Sequence, residues 1–159
     1  MKKQIMALCL SLTGGLAGLA PSAYAGDPVN PADAKVIVGP AAVFTGKTYV
    51  RLLTRPTAPG QAGTALVTFE PGARSNWHTH PAGQTLYVTQ GCGWTQEEGG
   101  PVQRICAGDM VYVKPGVRHW HGATASETMT HLAITEVLNG KNVEWMEPVS
   151  DAQFHGPDD

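Results

Sequence analysis

From Val43 onward, short segments rich in apolar and β-branched residues alternate with Gly- and Pro-containing turn signals. Such segments are typical of β-strands, and the intervals between them contain no ten-residue amphipathic helix pattern. We therefore predict a single all-β domain, folded as a sandwich or a small barrel. The predicted strands are Lys47–Leu53, Ala65–Glu70, Asn76–His80, Gln84–Gln90, Gly93–Gln96, Val102–Cys106, Met110–Val113, His119–Ala123 and Thr130–Val137.

The composition supports this fold class and narrows the choice of partner. The 159 residues include 19 Gly and 12 Pro, and this many helix-breaking residues fits a chain with many turns. Charged residues make up only 15% of the chain, the net charge is −2 and no basic run is present, so we expect no nucleic-acid partner. Apolar residues, at 42%, are sufficient to build a core.

Residues 1–25 have the pattern of a secretory signal peptide. Two lysines precede an uncharged apolar stretch over residues 5–20, and Ala23-Tyr24-Ala25 forms a small-x-small cleavage site. This stretch is interrupted by Gly and is shorter than the ~20 residues of a spanning helix. Cys9 lies inside it, whereas a lipoprotein cysteine would follow it. We expect cleavage after Ala25 and a periplasmic or secreted mature protein with no membrane attachment.

The mature chain is predicted to have three parts: an N-terminal arm over residues 26–42, a barrel over residues 43–149 and a loose C-terminal tail over residues 150–159. Loss of the leader changes the net charge to −4 and leaves two cysteines. Cys92 and Cys106 flank a predicted turn near Glu98-Gly99, which places them close to each other on neighbouring strands. Export favours a disulfide between them, and two buried free thiols are the alternative.

Five of the six histidines lie between positions 78 and 131. His78 and His80 are two residues apart on a predicted strand, so their side chains share one face, and so do those of His119 and His121. Gln84 has the same parity as the first pair. His131 is followed at the same spacing by Ala133 and Thr135 on a third strand. If these faces point into one barrel, the imidazoles converge.

Imidazole is the most common protein ligand for first-row divalent metals. A lone histidine is more often a surface or hydrogen-bonded residue, but two i, i+2 pairs beside turns favour a metal site. We predict that His78, His80 and His119 bind a metal. For His121 and His131 a ligand role and a neighbouring role both remain open. His155, in the predicted tail, is interpreted as a surface residue.

The spacing of these residues resembles the two motifs of the cupin superfamily. The first motif is matched by Gly72, then His78-Thr79-His80, then Gln84 where the family usually has Glu, then Gly91. The second is matched by Gly108 and by Pro115-Gly116 before His119, with the Pro shifted by one position. The resemblance implies a single-domain jelly-roll barrel. It is less informative about the reaction, because this fold supports many chemistries.

Longer segments resemble the small bacterial cupin hydroxynitrile lyases, over roughly Val43 to Phe154. The matching segments include Trp77-His78-Thr79-His80-Pro81, His119-Trp120-His121-Gly122-Ala123 and Met129-Thr130-His131-Leu132-Ala133. The resemblance implies a manganese site, with Fe, Co, Ni or Zn as alternatives. The residues implied are His78, His80, Gln84 and His119 as metal ligands, His121 and His131 as catalytic cavity residues, and Ala65 and Val67 as pocket residues. Thr135, which stands where some relatives carry a cavity Gln, is also predicted to line the substrate pocket.

The expected reaction is the reversible cleavage of a cyanohydrin, a small-molecule substrate, into an aldehyde or ketone and hydrogen cyanide. Four neutral ligands would leave a divalent ion with its full charge, which favours bound anions and increases Lewis acidity. His121 and His131 are the candidates for the base and for the group that assists cyanide, without an assignment between them. The alternatives are an Fe- or Mn-dependent oxygenase and a non-catalytic exported cupin that binds a metal or small ligand.

The tryptophans next to the predicted ligands are expected on the outside of the barrel. Trp77 and Trp120 each have the opposite parity to a neighbouring histidine, so their side chains leave the strands on the other face. They should pack on the outer side or at an interface. Small cupins commonly pair, and we expect a homo-oligomer, either a dimer or a tetramer.

Overall fold

The structure is a computed structural model that describes residues 28–155. The predicted signal peptide and the last four residues lie outside this range. No helix among the described residues is long and apolar enough to cross a membrane. The elements are a 3₁₀ turn Pro31–Asp33, β1 Val36–Val38, β2 Phe44–Thr45, β3 Thr48–Thr54, β4 Ala62–Phe69, β5 Arg74–Ser75, β6 His78–Thr79, β7 Gln84–Gln90, β8 Cys92–Glu97, β9 Gln103–Cys106, β10 Met110–Val113, β11 His119–Ala123, β12 Met129–Glu136, β13 Glu144–Trp145 and α1 Asp151–Phe154.

The strands form two antiparallel sheets, which confirms the predicted all-β jelly-roll barrel. The first sheet has the order β1-β3-β4-β12-β7-β10. In the second, β13-β6-β11-β5-β2 form a path, and β8 pairs with both β11 and β9. Because side chains alternate along each strand, one face of the first sheet supplies the core, which includes Val67, Phe69, Leu86, Val88 and Met129.

Two predicted boundaries change in the structure. The predicted strand Asn76–His80 is shortened to β6, and β5 precedes it, because the backbone N–H groups of Asn76 and Trp77 between them bond to other segments of the chain. The predicted N-terminal arm contains a 3₁₀ turn, and three of its residues form β1, which pairs antiparallel with β3. The arm is therefore an edge of the first sheet.

The prediction of a loose C-terminal tail is wrong for residues 150–155, which are ordered against the barrel. Ser150 caps α1 in a reciprocal capping box with Gln153, and the side chain of Phe154 is buried. Phe154 and Val149 pack against a second cluster on the outer face of the second sheet, formed by Trp77, Trp94 and Trp120. The two tryptophans predicted to lie outside the barrel do so, and the chain's own C-terminal segment covers them.

The β8–β9 hairpin carries the disulfide. Cys92 lies directly opposite Cys106 in the ladder, and the structure joins the two sulfurs. Just before Cys92, Gly91 has φ +69° and lies against the Thr128 carbonyl, where a Cβ would overlap that oxygen. This motif glycine therefore allows the close approach of the turn before β12.

Candidate metal centre and active-site cavity

Three of the predicted ligands come together inside the barrel. His78 lies on β6, His119 lies opposite it on β11, and His80 follows the end of β6. All three side chains are buried. One potential ligand atom from each lies within 4.8 Å of the others, the arrangement required for a shared ion.

The other ring nitrogen of each histidine is bonded to the backbone. Burial lowers the pKa of His78 and His80 and lowers that of His119 to about 4, so all three rings are neutral near pH 7. A neutral ring that donates through Nδ1 has a free lone pair on Nε2. The Nδ1 acceptors are the carbonyl oxygens of Asn76 for His78 at 2.9 Å, of Val117 for His119 at 3.0 Å, and of Asn142 for His80.

Gln84 completes the group. Its side chain is buried at the start of β7, and its Oε1 lies 3.0 Å from Nε2 of His119. Since Nδ1 of His119 carries the proton, this contact brings two lone pairs together, an arrangement that a shared cation would stabilise. Nε2 of His78 and Nε2 of His80 have no hydrogen-bond partner among the described residues. Three imidazoles and one amide oxygen are a suitable donor set for a first-row divalent ion.

His121 and His131 form a buried pair beside this centre. Nε2 of His131 lies 3.1 Å from Nδ1 of His121. Burial lowers the pKa of His121, and repulsion between the two rings, were both protonated, lowers it further. Burial lowers the pKa of His131 to about 3. The pair is therefore neutral and shares one proton across this contact. Nε2 of His121 has no partner in the described part of the chain.

A cavity of about 350 Å³ lies between the two sheets, near the small end of ligand pockets. Its wall includes His78, His80, Gln84 and His121 together with Ala65 and Val67. His131, in contrast to the prediction, is not among the described residues that line it. It lies behind His121 with its ring centroid 5.7 Å from that of Phe69. His121 is therefore the member of the pair that contacts the cavity.

Thr135, in contrast to the prediction, is not among the described residues that line the 350 Å³ cavity. It lines a neighbouring cavity of about 200 Å³ rather than the 350 Å³ cavity itself. The two cavities share Leu52, Ala65, Ala133 and Asn142. In the ladder Thr135 lies opposite Gln84.

Sequence reasoning missed both segments that border the cavity mouth. Residues 37–44 of the N-terminal arm border one side, and residues 142–145, which include β13, border the other. Asn76 fastens both, because its side-chain amide donates to the carbonyl oxygens of Ala42 at 3.1 Å and Met146 at 3.0 Å. The dipeptide Asn139-Gly140 forms the turn that closes the Leu138–Lys141 bridge. Asn-Gly is typical of tight turns, so it was the sequence signal that could have indicated the chain reversal before residues 142–145.

The comparisons with known proteins agree with this architecture. A model of the cupin domain matches residues 65–135. The (R)-mandelonitrile lyase of Granulicella tundricola is 56% identical over 116 residues, which are 73% of this chain and 88% of that protein.

Two solved structures show the same fold. A cupin-like protein from Thermotoga maritima is 37% identical, with a TM-score of 0.71 over 74% of this chain and 89% of its own. The polyketide cyclase of Streptomyces resistomycificus is only 16% identical but has a TM-score of 0.65 over 81% of this chain and 90% of its own. The barrel carries buried histidines, the cupin domain model matches, and the Granulicella relative is aligned over 88% of its length. The chain therefore belongs to the cupin family.

Proposed function

We propose that this cupin is a metal-dependent hydroxynitrile lyase, which reversibly cleaves a cyanohydrin into an aldehyde or ketone and hydrogen cyanide. The observation that carries the proposal is the position of His121. Its unpaired Nε2 belongs to a neutral ring on the wall of a small apolar cavity, beside the four metal-binding side chains. The name of the Granulicella relative supports the same reaction class.

A divalent ion bound by His78, His80, Gln84 and His119, with manganese the first candidate, would act as a Lewis acid that lowers the pKa of a substrate hydroxyl. His121 accepts the hydroxyl proton at Nε2. The electrons of the C–C bond to the nitrile leave with cyanide, and the carbonyl forms from the hydroxyl oxygen. Cyanide then takes that proton from Nε2 of His121 and departs as hydrogen cyanide.

His131 acts through His121 in this scheme. His121 donates from Nδ1 to Nε2 of His131 across 3.1 Å, and this contact leaves the lone pair of its own Nε2 directed to the cavity. After Nε2 has taken the hydroxyl proton, the same contact stabilises the cationic ring of His121. His121 then gives that proton from Nε2 to cyanide, and the pair returns to its starting form. His131 is therefore a positioning residue.

Mandelonitrile cleavage tests the proposal, with benzaldehyde followed by its absorbance. Mildly acidic buffer slows spontaneous decomposition, and the ligand His119 stays neutral there because its pKa is about 4. We expect the metal-loaded protein to release benzaldehyde faster than the metal-stripped protein. His121→Ala should lower kcat by roughly 10²–10⁴-fold, the usual contribution of a general base, while the bound metal is retained.

Benzaldehyde release no faster than in buffer, from protein with measured full metal occupancy, would contradict the proposal. An oxygen electrode in the same assay separates the lyase from an oxygenase, because the lyase reaction consumes no oxygen. His78→Ala serves as the matched control for the metal, and it should abolish metal binding as well as cleavage.

A further inference from the structure

Two aromatic side chains stand at the mouth of the cavity. Phe44 of β2 and Trp145 of β13 both line it, with ring centroids 5.7 Å apart and planes inclined by 64°. Trp145 is 39% exposed, so its indole is accessible to a ligand. The two rings form an edge-to-face pair that comes from opposite ends of the chain.

These rings connect the mouth with the groups proposed to act on the substrate. The indole of Trp145 lies against His78, with ring centroids 4.8 Å apart. On the other side, the ring of Phe44 lies 6.0 Å from that of Phe69, which in turn lies 5.7 Å from that of His121. A chain of aromatic contacts, which passes through the buried ring of Phe69, therefore extends from a proposed metal ligand to the proposed base.

The indole is held in place by bonds on both sides of it in the sequence. The carbonyl of Asn142 accepts a hydrogen bond from Nδ1 of His80, and the backbone N–H of Met146 donates to the carbonyl of Trp77 at 2.9 Å. Trp145 itself pairs with His78 in the β13–β6 ladder. Because the backbone is fixed on both sides, the ring is already oriented toward the cavity, and a ligand does not have to order it.

The remaining wall is apolar and carries no charge among the residues described. Its aliphatic members include Ile37, Val43, Val50, Leu52 and Val67. Such a wall disfavours a charged substituent, because the charge would lose its water without gaining a partner. It accepts a flat apolar ring that contacts Trp145 and Phe44.

We propose that Trp145, with Phe44, forms an aryl subsite that selects substrates with an aromatic ring on the hydroxyl-bearing carbon. The assignment of this ring to a substrate rests on the proposed function. The preference for an aromatic ring over a saturated ring is a property of the subsite alone. It is therefore measurable with ligands that the protein does not convert.

Benzyl alcohol and cyclohexylmethanol are the probes for this preference. They have the same carbon skeleton, one ring is aromatic, and neither has a nitrile to release. We expect the metal-loaded wild type to bind benzyl alcohol about two- to tenfold more tightly than cyclohexylmethanol, the size of an aromatic pair contribution. Trp145→Leu should bring the ratio of the two Kd values close to one, and Trp145→Phe should preserve it.

Metal content and a control variant distinguish recognition from a structural role. Leu138→Ala changes an exposed side chain in the turn that leads into β13, and this variant should keep both the metal and the wild-type ratio. The aryl subsite is refuted if the wild type does not distinguish the two alcohols or if Trp145→Leu keeps the wild-type ratio. It is also refuted if Trp145→Leu loses its metal and weakens both ligands equally.

Kinetics then connect the subsite to the reaction. Trp145→Leu should lower kcat/KM for mandelonitrile by about two- to tenfold more than for the cyclohexyl cyanohydrin. Absence of any cleavage would refute the proposed function, and the alcohol ratio would still decide on the subsite. Normal cleavage with the same substrate ratio in the variant would refute the subsite and leave the lyase proposal intact.

Discussion

Burial determines the protonation of the imidazoles inside the barrel. The pKa values of all five are lowered, and desolvation is the largest cause for each: His78, His80, His119, His121 and His131. A buried ring without an acidic neighbour stays neutral, which is the state that both a metal ligand and a general base require. The same burial makes the fold sensitive to acid, because the unfolded chain takes up protons that the folded chain does not.

His131 gives a clear test of this acid sensitivity. Its pKa is about 3 in the folded protein and near 6.5 when unfolded, so its contribution to stability is complete above pH 6.5 and is lost as the pH falls toward 3. We expect His131→Gln to reduce the slope of the unfolding free energy between these limits by about 1.4 kcal/mol per pH unit. Urea unfolding of metal-free protein at several pH values measures it.

His155→Gln is the matched control, because His155 is exposed at the end of α1, away from the buried pair. An unchanged slope in His131→Gln would show that His131 takes up its proton in the folded state. The variant should also lower kcat while the metal content stays constant, as expected of a positioning residue behind His121.

At the scale of the elements, long strands were predictable and short ones were not. The inner faces of β4, β7 and β12 alternate over seven or eight residues, so period two placed Ala65, Val67, Gln84 and His131 on one side. β2, β6 and β13 have two residues each and are extended because they pair with distant partners. Glu144 and Trp145 are both exposed, so no alternation marked β13 or the mouth that it forms.

The β8–β9 hairpin allows a prediction about the disulfide. Cys92 and Cys106 are separated by 14 positions, and a crosslink over a loop of this length is expected to stabilise the fold by about 3 kcal/mol. We expect Cys92→Ala/Cys106→Ala to lower the free energy of urea unfolding by that order. Reduced wild type is the control and should resemble the double variant. Equal stability of oxidised and reduced wild type would contradict the prediction.

At the scale of the whole molecule, the ends of the described chain pack against the barrel. β1 extends the first sheet, and α1 covers the tryptophan cluster on the outside of the second. Arg74 fastens α1: its Nε donates to the carbonyl of Val149 at 3.1 Å, and it pairs with Asp151 and lies 4.6 Å above the ring of Phe154. Neither end was assigned such a role from the sequence, because the partners of each end are distant in the sequence.

Phe154→Ala tests the contribution of this C-terminal contact. The side chain is buried among Trp120 and Val149, so we expect a loss of about 3 kcal/mol in the free energy of unfolding. Cleavage at low temperature should be unaffected, because the cluster lies on the outer face, away from the cavity. Ala152→Ser, on the exposed side of α1, is the control and should stay near wild type. Wild-type stability of Phe154→Ala would mean that α1 does not hold the cluster together.

The cavity mouth has a consequence for how this protein and its relatives diversify. The cupin domain match covers residues 65–135, while Phe44 and Trp145 lie on either side of that range. The proposed metal ligands and the proposed aryl subsite are therefore encoded in separate parts of the sequence. We expect that an exchange of the flanking segments would change the proposed aryl subsite and leave His78, Gln84 and His119 in place. An exchanged segment must keep the backbone carbonyl at position 142 in place, because it accepts the hydrogen bond from Nδ1 of His80.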